Sequence, residues 1–151
     1  MRGGIILFIL ICISGCIGGG THGYIKAYRY SVPKYKLEKA VDQVIAQNPN
    51  VYKDSVKDYY NDDTGYVTIF IKEKQTYSYV FRYYGRKEHW DTAMSSEFFI
   101  AYAYDENRRG GSEGGKIKEH SAKFIKDLIR PFEEEFVLKI DSVLGIKHSE
   151  G

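Results

Sequence analysis

From Thr76 to Tyr84, and again from Glu97 to Tyr104, aromatic rings recur at nearly every second position. A period of two sends successive side chains to opposite sides of an extended chain, so both runs are expected as strands and not as helices. Tyr77, Tyr79, Phe81 and Tyr83 share one side of the first run, with Val80, Arg82 and Tyr84 on the other. The second run presents Phe98, Ile100, Tyr102 and Tyr104. A third run, Tyr66 to Glu73, places Val67, Ile69 and Ile71 together. Lys74-Gln75 supplies a hairpin connection, and the polar stretch Gly85 to Ser96 a loop. Three such runs with short connections predict an antiparallel meander. The chain carries 14 Tyr, 8 Phe and 1 Trp, a supply that suits cross-strand ring pairs.

Gly23 to Val32 alternates as well, with Tyr24, Lys26, Tyr28 and Tyr30 on one side and Ile25, Ala27 and Arg29 on the other. Pro33 then suits the first turn of a helix. Leu37, Ala40, Val41, Val44 and Ile45 follow at helical spacing, and Asn48-Pro49-Asn50 ends the helix. Val51 to Tyr60 reads as a short helix or an irregular connection, and Asn61 to Gly65 as a turn. Asp105 to Gly115 is glycine-rich and is expected as a mobile loop. Lys116 to Leu144 carries a helical apolar stripe, with a kink or restart at Pro131 and a cap at Gly145.

The order is strand, helix, three strands, helix. The predicted fold is α+β: a two-layer arrangement of an antiparallel sheet of about four strands packed by two amphipathic helices. Residues 23–146 would form one globular domain, and 147–151 a frayed tail. The helices are expected on the aliphatic sides of the strands. The Tyr-rich side would then be partly wet or covered by a partner.

The amino terminus constrains location. Arg2 precedes an unbroken apolar run from Ile5 to Ile13, followed by Ser14, Gly15 and Cys16. That is the order of a secretory signal. The run is short of the roughly 20 apolar residues that span a bilayer as a helix. Ile13-Ser14-Gly15-Cys16 resembles the lipobox of bacterial lipoproteins. The resemblance implies a signal peptide at 1–15, removed before Cys16, and a Cys16 that carries a diacylglycerol and often a further acyl chain. Two or more chains give stable anchoring where one is marginal. Residues 16–22 would be the lipidated cysteine and its tether. Ile17 stands where Asp would favour retention at the inner membrane in many envelopes, which points to the outer membrane, with the leaflet open. The expected contacts are the lipid bilayer, through acylated Cys16, and an envelope protein.

Charge and cysteine content narrow the function classes. Lys and Arg number 22 and Asp and Glu 20, a net charge of +2, so no basic excess draws the chain to nucleic acid. Its 2 cysteines are Cys12, in the leader, and Cys16. The mature domain therefore holds no cysteine nucleophile, zinc thiolate or redox pair. No cofactor and no metal is expected.

Two candidate sites remain. Tyr77, Tyr79, Phe81, Tyr83, Tyr102 and Tyr104 would form a recognition face for a peptide, a glycan or another envelope protein, since Tyr joins an apolar ring to a polar tip. The bland account of these rings is cross-strand packing. Glu88, His89 and Asp91, beside Trp90, form the densest acid-base cluster, with a surface loop as its bland account. His22, His120 and His148 give no reason to gather, and Glu133-Glu134-Glu135 reads as a solvated helix face. Asp105 to Gly110 fails as a calcium loop because Arg109 stands at a ligand position. Gly110 to Gly115 lacks the lysine ending of a phosphate loop, and Ser112 has no base partner. The expected function is a membrane-anchored envelope lipoprotein acting as a non-enzymatic interaction module, of the immunity or inhibitor kind. The alternatives are a small envelope enzyme using Glu88, His89 and Asp91, or a structural component of an envelope assembly.

Overall fold

The computed structural model describes residues 23–54 and 65–151. The expectations placed on the leader, on Cys16 and the tether, and on residues 55–64 lie outside the described residues.

In chain order the elements are β1 (Lys26–Tyr30), α1 (Lys34–Gln47), β2 (Val51–Lys53), β3 (Tyr66–Lys72), β4 (Thr76–Tyr83) and α2 (Lys87–Trp90). Then come β5 (Ser96–Tyr104), β6 (Gly110–Gly111), a 3-10 turn (Lys116–Glu119), α3 (Ala122–Phe132), a π-helical turn (Glu133–Val137), α4 (Leu138–Leu144) and β7 (Ser149–Glu150). The strands form one antiparallel sheet in the order β2-β3-β4-β5-β1-β7, with β6 on β5. The class is α+β, as expected. The sheet has 7 strands where about four were expected, because β2, β6 and β7 are too short to show a period.

The helices cover the opposite side of β4 from the one expected. Tyr79 and Phe81 are wholly buried, and Tyr77 and Tyr83 nearly so, under Leu128, Phe132 and Phe136 of the long C-terminal helix. Ile69, Ile71, Phe98 and Ile100 join them on that face, together with Leu37, Val41 and Val44 of α1. Tyr side chains can enter a core when their hydroxyls find acceptors. The Tyr79 hydroxyl donates to the Leu128 carbonyl at 2.7 Å, and the Tyr28 hydroxyl to Glu133 Oε1 at 3.1 Å. The aromatic side is therefore the core, and Val80, Arg82 and Tyr84 look outward.

Tyr102 and Tyr104 do not share a face with Phe98 and Ile100. The register runs Phe81 to Ile100 and Val80 to Tyr102, leaving Ala101 as an extra residue in β5. Such a β-bulge shifts the alternation by one residue. Ala103, not Tyr102 or Tyr104, then continues the buried face.

The expected long helix from Lys116 begins later. Ser121 Oγ accepts from the Phe124 amide at 3.2 Å and starts α3 afresh after the 3-10 turn. Pro131 removes one ladder amide inside α3, and the helix passes through the π turn into α4 without stopping. Gly145, at φ 65°, closes α4.

The C-terminal tail is a strand instead of a frayed end. His148 Nδ1 meets Asp141 Oδ2 at 2.9 Å, and Ser149 and Glu150 pair with Arg29 and Tyr28. Glu133, Glu134 and Glu135 are not merely solvated. They bond respectively to Lys26 and Tyr28, to Arg130, and to Asn48 and Asn50.

The glycine loop is also an element of the sheet. Gly110 sits at φ 135°, and a Cβ there would lie 2.0 Å from the Ala103 carbonyl oxygen. Backbone cannot yield to that contact as a flexible side chain can, and the φ itself is disfavoured for any other residue. Gly110→Ala is expected to detach β6 from β5. Hydrogen exchange should show lost protection at the Ala103 and Gly111 amides while β3 and β4 stay protected.

Candidate interaction surface

The strands β1 to β5 turn one side to the core, and their other sides make up the second face of the sheet. Among the described residues no helix covers that second face. Its cross-strand rows follow from the register. One row is Tyr52, Phe70, Ser78 and Tyr104; the next is Thr68, Val80 and Tyr102; the third is Tyr66, Arg82, Phe99 and Ala27. β3 supplies three of these because both of its sides are apolar: Val67, Ile69 and Ile71 go to the core, and Tyr66 and Phe70 to the open face.

The rings form local pairs. Tyr52 and Phe70 stack with centroids 5.2 Å apart and an interplanar angle of 18°. Tyr24, which precedes β1, lies 5.8 Å from Phe99. The Arg82 guanidinium sits 5.2 Å from the Tyr66 ring centroid, within cation–π range. Arg29 bonds Glu97 through Nε at 3.0 Å and Nη2 at 2.8 Å. Tyr24, Tyr52 and Tyr102 are 43%, 46% and 36% exposed, and Tyr66, Phe70, Phe99 and Tyr104 are half-buried. A contiguous apolar patch of this kind marks a contact surface more often than scattered exposed residues do.

Nothing matches the chain among protein-family models, curated proteins or solved structures.

Of the six rings expected at a recognition face, Tyr102 and Tyr104 are on the open face. Tyr77, Tyr79, Phe81 and Tyr83 are in the core. Tyr24, Tyr52, Tyr66, Phe70 and Phe99 were missed as candidates. The signal that could have found them is the Tyr66, Thr68, Phe70 spacing, which alternates as clearly as its aliphatic counterpart.

The acid-base cluster does not assemble. Glu88, His89 and Asp91 are exposed on and just after the single turn of α2, and among the described residues no hydrogen bond or ion pair joins their side chains. General acid-base work needs groups held within hydrogen-bonding reach of one another or of a substrate. Their neighbour Trp90 has a structural task. Its Nε1 donates to the Tyr84 carbonyl at 2.8 Å, and Lys34 Nζ lies 3.9 Å from its ring centroid.

A small cleft of about 170 Å³ lies on the helical side of the sheet, lined by Gln75, Tyr77, Asp105, Arg109, Phe124, Asp127 and Leu128. Its buried carboxylate is already committed. Asp105 accepts from the Asn107 and Arg109 amides at 3.0 and 2.9 Å and pairs with the Arg109 guanidinium at 2.7 Å. That satisfies the carboxylate within its own loop and leaves no aimed group for a ligand.

Proposed function

We propose that the chain is a membrane-anchored envelope lipoprotein that acts by non-catalytic contact, through the open face of its sheet. The observation that carries this reading is the cluster of rings on a face without a helix, on a domain whose acid-base side chains are dispersed. The lipobox at Ile13 to Cys16 supports the anchor. Among the described residues no helix is long and apolar enough to cross a membrane, so acylation would be the attachment.

The anchor and the contact face are tested separately. Radiolabelled palmitate should enter the wild-type chain and not Cys16→Ala, which should also leave the membrane fraction. For the face, single cysteines replace Tyr52, Tyr102 and Leu138, the last an exposed residue of α4. In intact envelopes, a bulky maleimide should label Leu138→Cys readily and Tyr52→Cys and Tyr102→Cys poorly. In detergent all three should react. Equal labelling in envelopes would remove the open face from consideration.

A further inference from the structure

We infer that the bilayer itself covers the open face: once Cys16 is acylated, the domain lies with this side of the sheet in the phospholipid headgroup layer. The inference rests on the lipoprotein reading above.

The first argument is reach. Cys16 and Tyr24 are separated by at most about 28 Å of fully extended chain. The Tyr24 ring packs on Phe99, so the chain enters the domain next to a ring of the open face, with Gly23 against Glu113. The five strands from β2 to β1 span about 19 Å at a spacing near 4.8 Å. The anchor therefore holds the face within about one and a half sheet widths of the lipid surface. Turning the helical side to the bilayer would spend that reach in passing round the edge of the sheet. A short tether also raises the local concentration of surface to the millimolar range, so weak docking is enough.

The second argument is chemistry. Tyr suits the boundary between headgroups and acyl chains, where the ring is buried and the hydroxyl stays wet. Tyr24, Tyr52 and Tyr102 are exposed there, with Phe70 and Phe99 between them. Lys72 and Arg82 stand on the same side of β3 and β4, where phosphates would meet them, while the carboxylate of Glu97 is held by Arg29. Lys and Arg side chains near an anionic leaflet strengthen its hold on the protein.

The experiment uses the acylated full chain. Cys16 is blocked by its lipid, so one introduced cysteine is the sole reactive thiol. Tyr52→Cys, Tyr102→Cys and Leu138→Cys are labelled with an environment-sensitive fluorophore. They are reconstituted into phosphatidylethanolamine and phosphatidylglycerol vesicles, with or without nitroxide-bearing lipids. The probes at 52 and 102 should brighten on reconstitution and lose most of that emission to the nitroxides. The probe at 138 should do neither. A thermal transition close to that of the unlabelled chain shows that each variant is folded.

Three unquenched probes on vesicles that carry the protein through flotation would overturn docking and leave the anchor standing. Failure to float would overturn the anchor, and docking with it. Maleimide protection of position 102 in envelopes without quenching in vesicles would assign the face to a protein partner. A disulfide between two chains at position 102 on vesicles would assign it to a second copy. Either result overturns the inference.

Discussion

Raising the pH above 10 is expected to unfold this domain cooperatively. Tyr28, Tyr30, Tyr79 and Tyr83 are core residues, and burial is the largest cause pushing each hydroxyl well above its ordinary value near 10. Nearby carboxylates add to it: Glu133 at Tyr28, Asp141 at Tyr30 and Glu38 at Tyr83. No donor meets the Tyr30 hydroxyl among the described residues, so nothing there would stabilise a tyrosinate beside Asp141. The folded state keeps these protons while the unfolded chain releases them. Stability is therefore full below pH 10 and falls as pH rises above it. Each such Tyr removes about 1.4 kcal/mol per pH unit, and the four together roughly 5. A domain stable by about 5–15 kcal/mol is then lost within about one to three pH units. Lys26 acts in the same direction. Partial desolvation opposes its charge, but bonds to Glu133 and Glu150 outweigh that and hold it above the usual lysine range.

The check is tyrosinate absorbance followed together with far-ultraviolet circular dichroism. A steep rise should coincide with loss of secondary structure. Tyr83→Phe should shallow the alkaline limb by one tyrosine's share. A single gradual titration near 10 with unchanged dichroism would show that these hydroxyls are not buried.

The meander, α1 and the α+β class were legible because each rests on long runs with one clear period. The facing of the sheet was not. An aromatic side and an aliphatic side are both apolar, so alternation in β3 and β4 identifies two faces without ranking them. What ranks them is tertiary: Tyr79 and Tyr28 reach acceptors on the C-terminal helix that no local pattern reveals. The bulge at Ala101 is silent for the same reason, since an inserted alanine leaves a run that still looks alternating. The tail was misread because its order comes from His148 meeting Asp141 across Gly145. Of the missed rings, Tyr66, Phe70 and Phe99 were hidden by the face assignment, and Tyr52 by belonging to a strand only 3 residues long.

The facing and the bulge together make a sharp mutational contrast within one strand. Phe98→Ala is expected to cost about 3–5 kcal/mol, the usual range for deleting a buried ring. Its centroid lies 5.4 Å from both Tyr28 and Phe81, and 6.2 Å from both Phe132 and Phe136, so four neighbours would border the void. Tyr102→Ala, four residues on, should cost less than about 1 kcal/mol, the scale of a cross-strand pair on a half-exposed face. Without the bulge the two positions would share a face and cost alike. Urea midpoints at constant slope measure both. Equal losses would place Tyr102 in the core and dissolve the open face. Deleting Ala101 tests the cause directly. With Ala101 gone, Tyr102 follows Ile100 directly, so Val80 still pairs with Tyr102, Ala103 stays on the buried face, and Tyr102 and Tyr104 stay on the open one. That deletion should cost clearly less than Phe98→Ala, and a loss as large would show that the facing of Tyr102 does not rest on the extra residue.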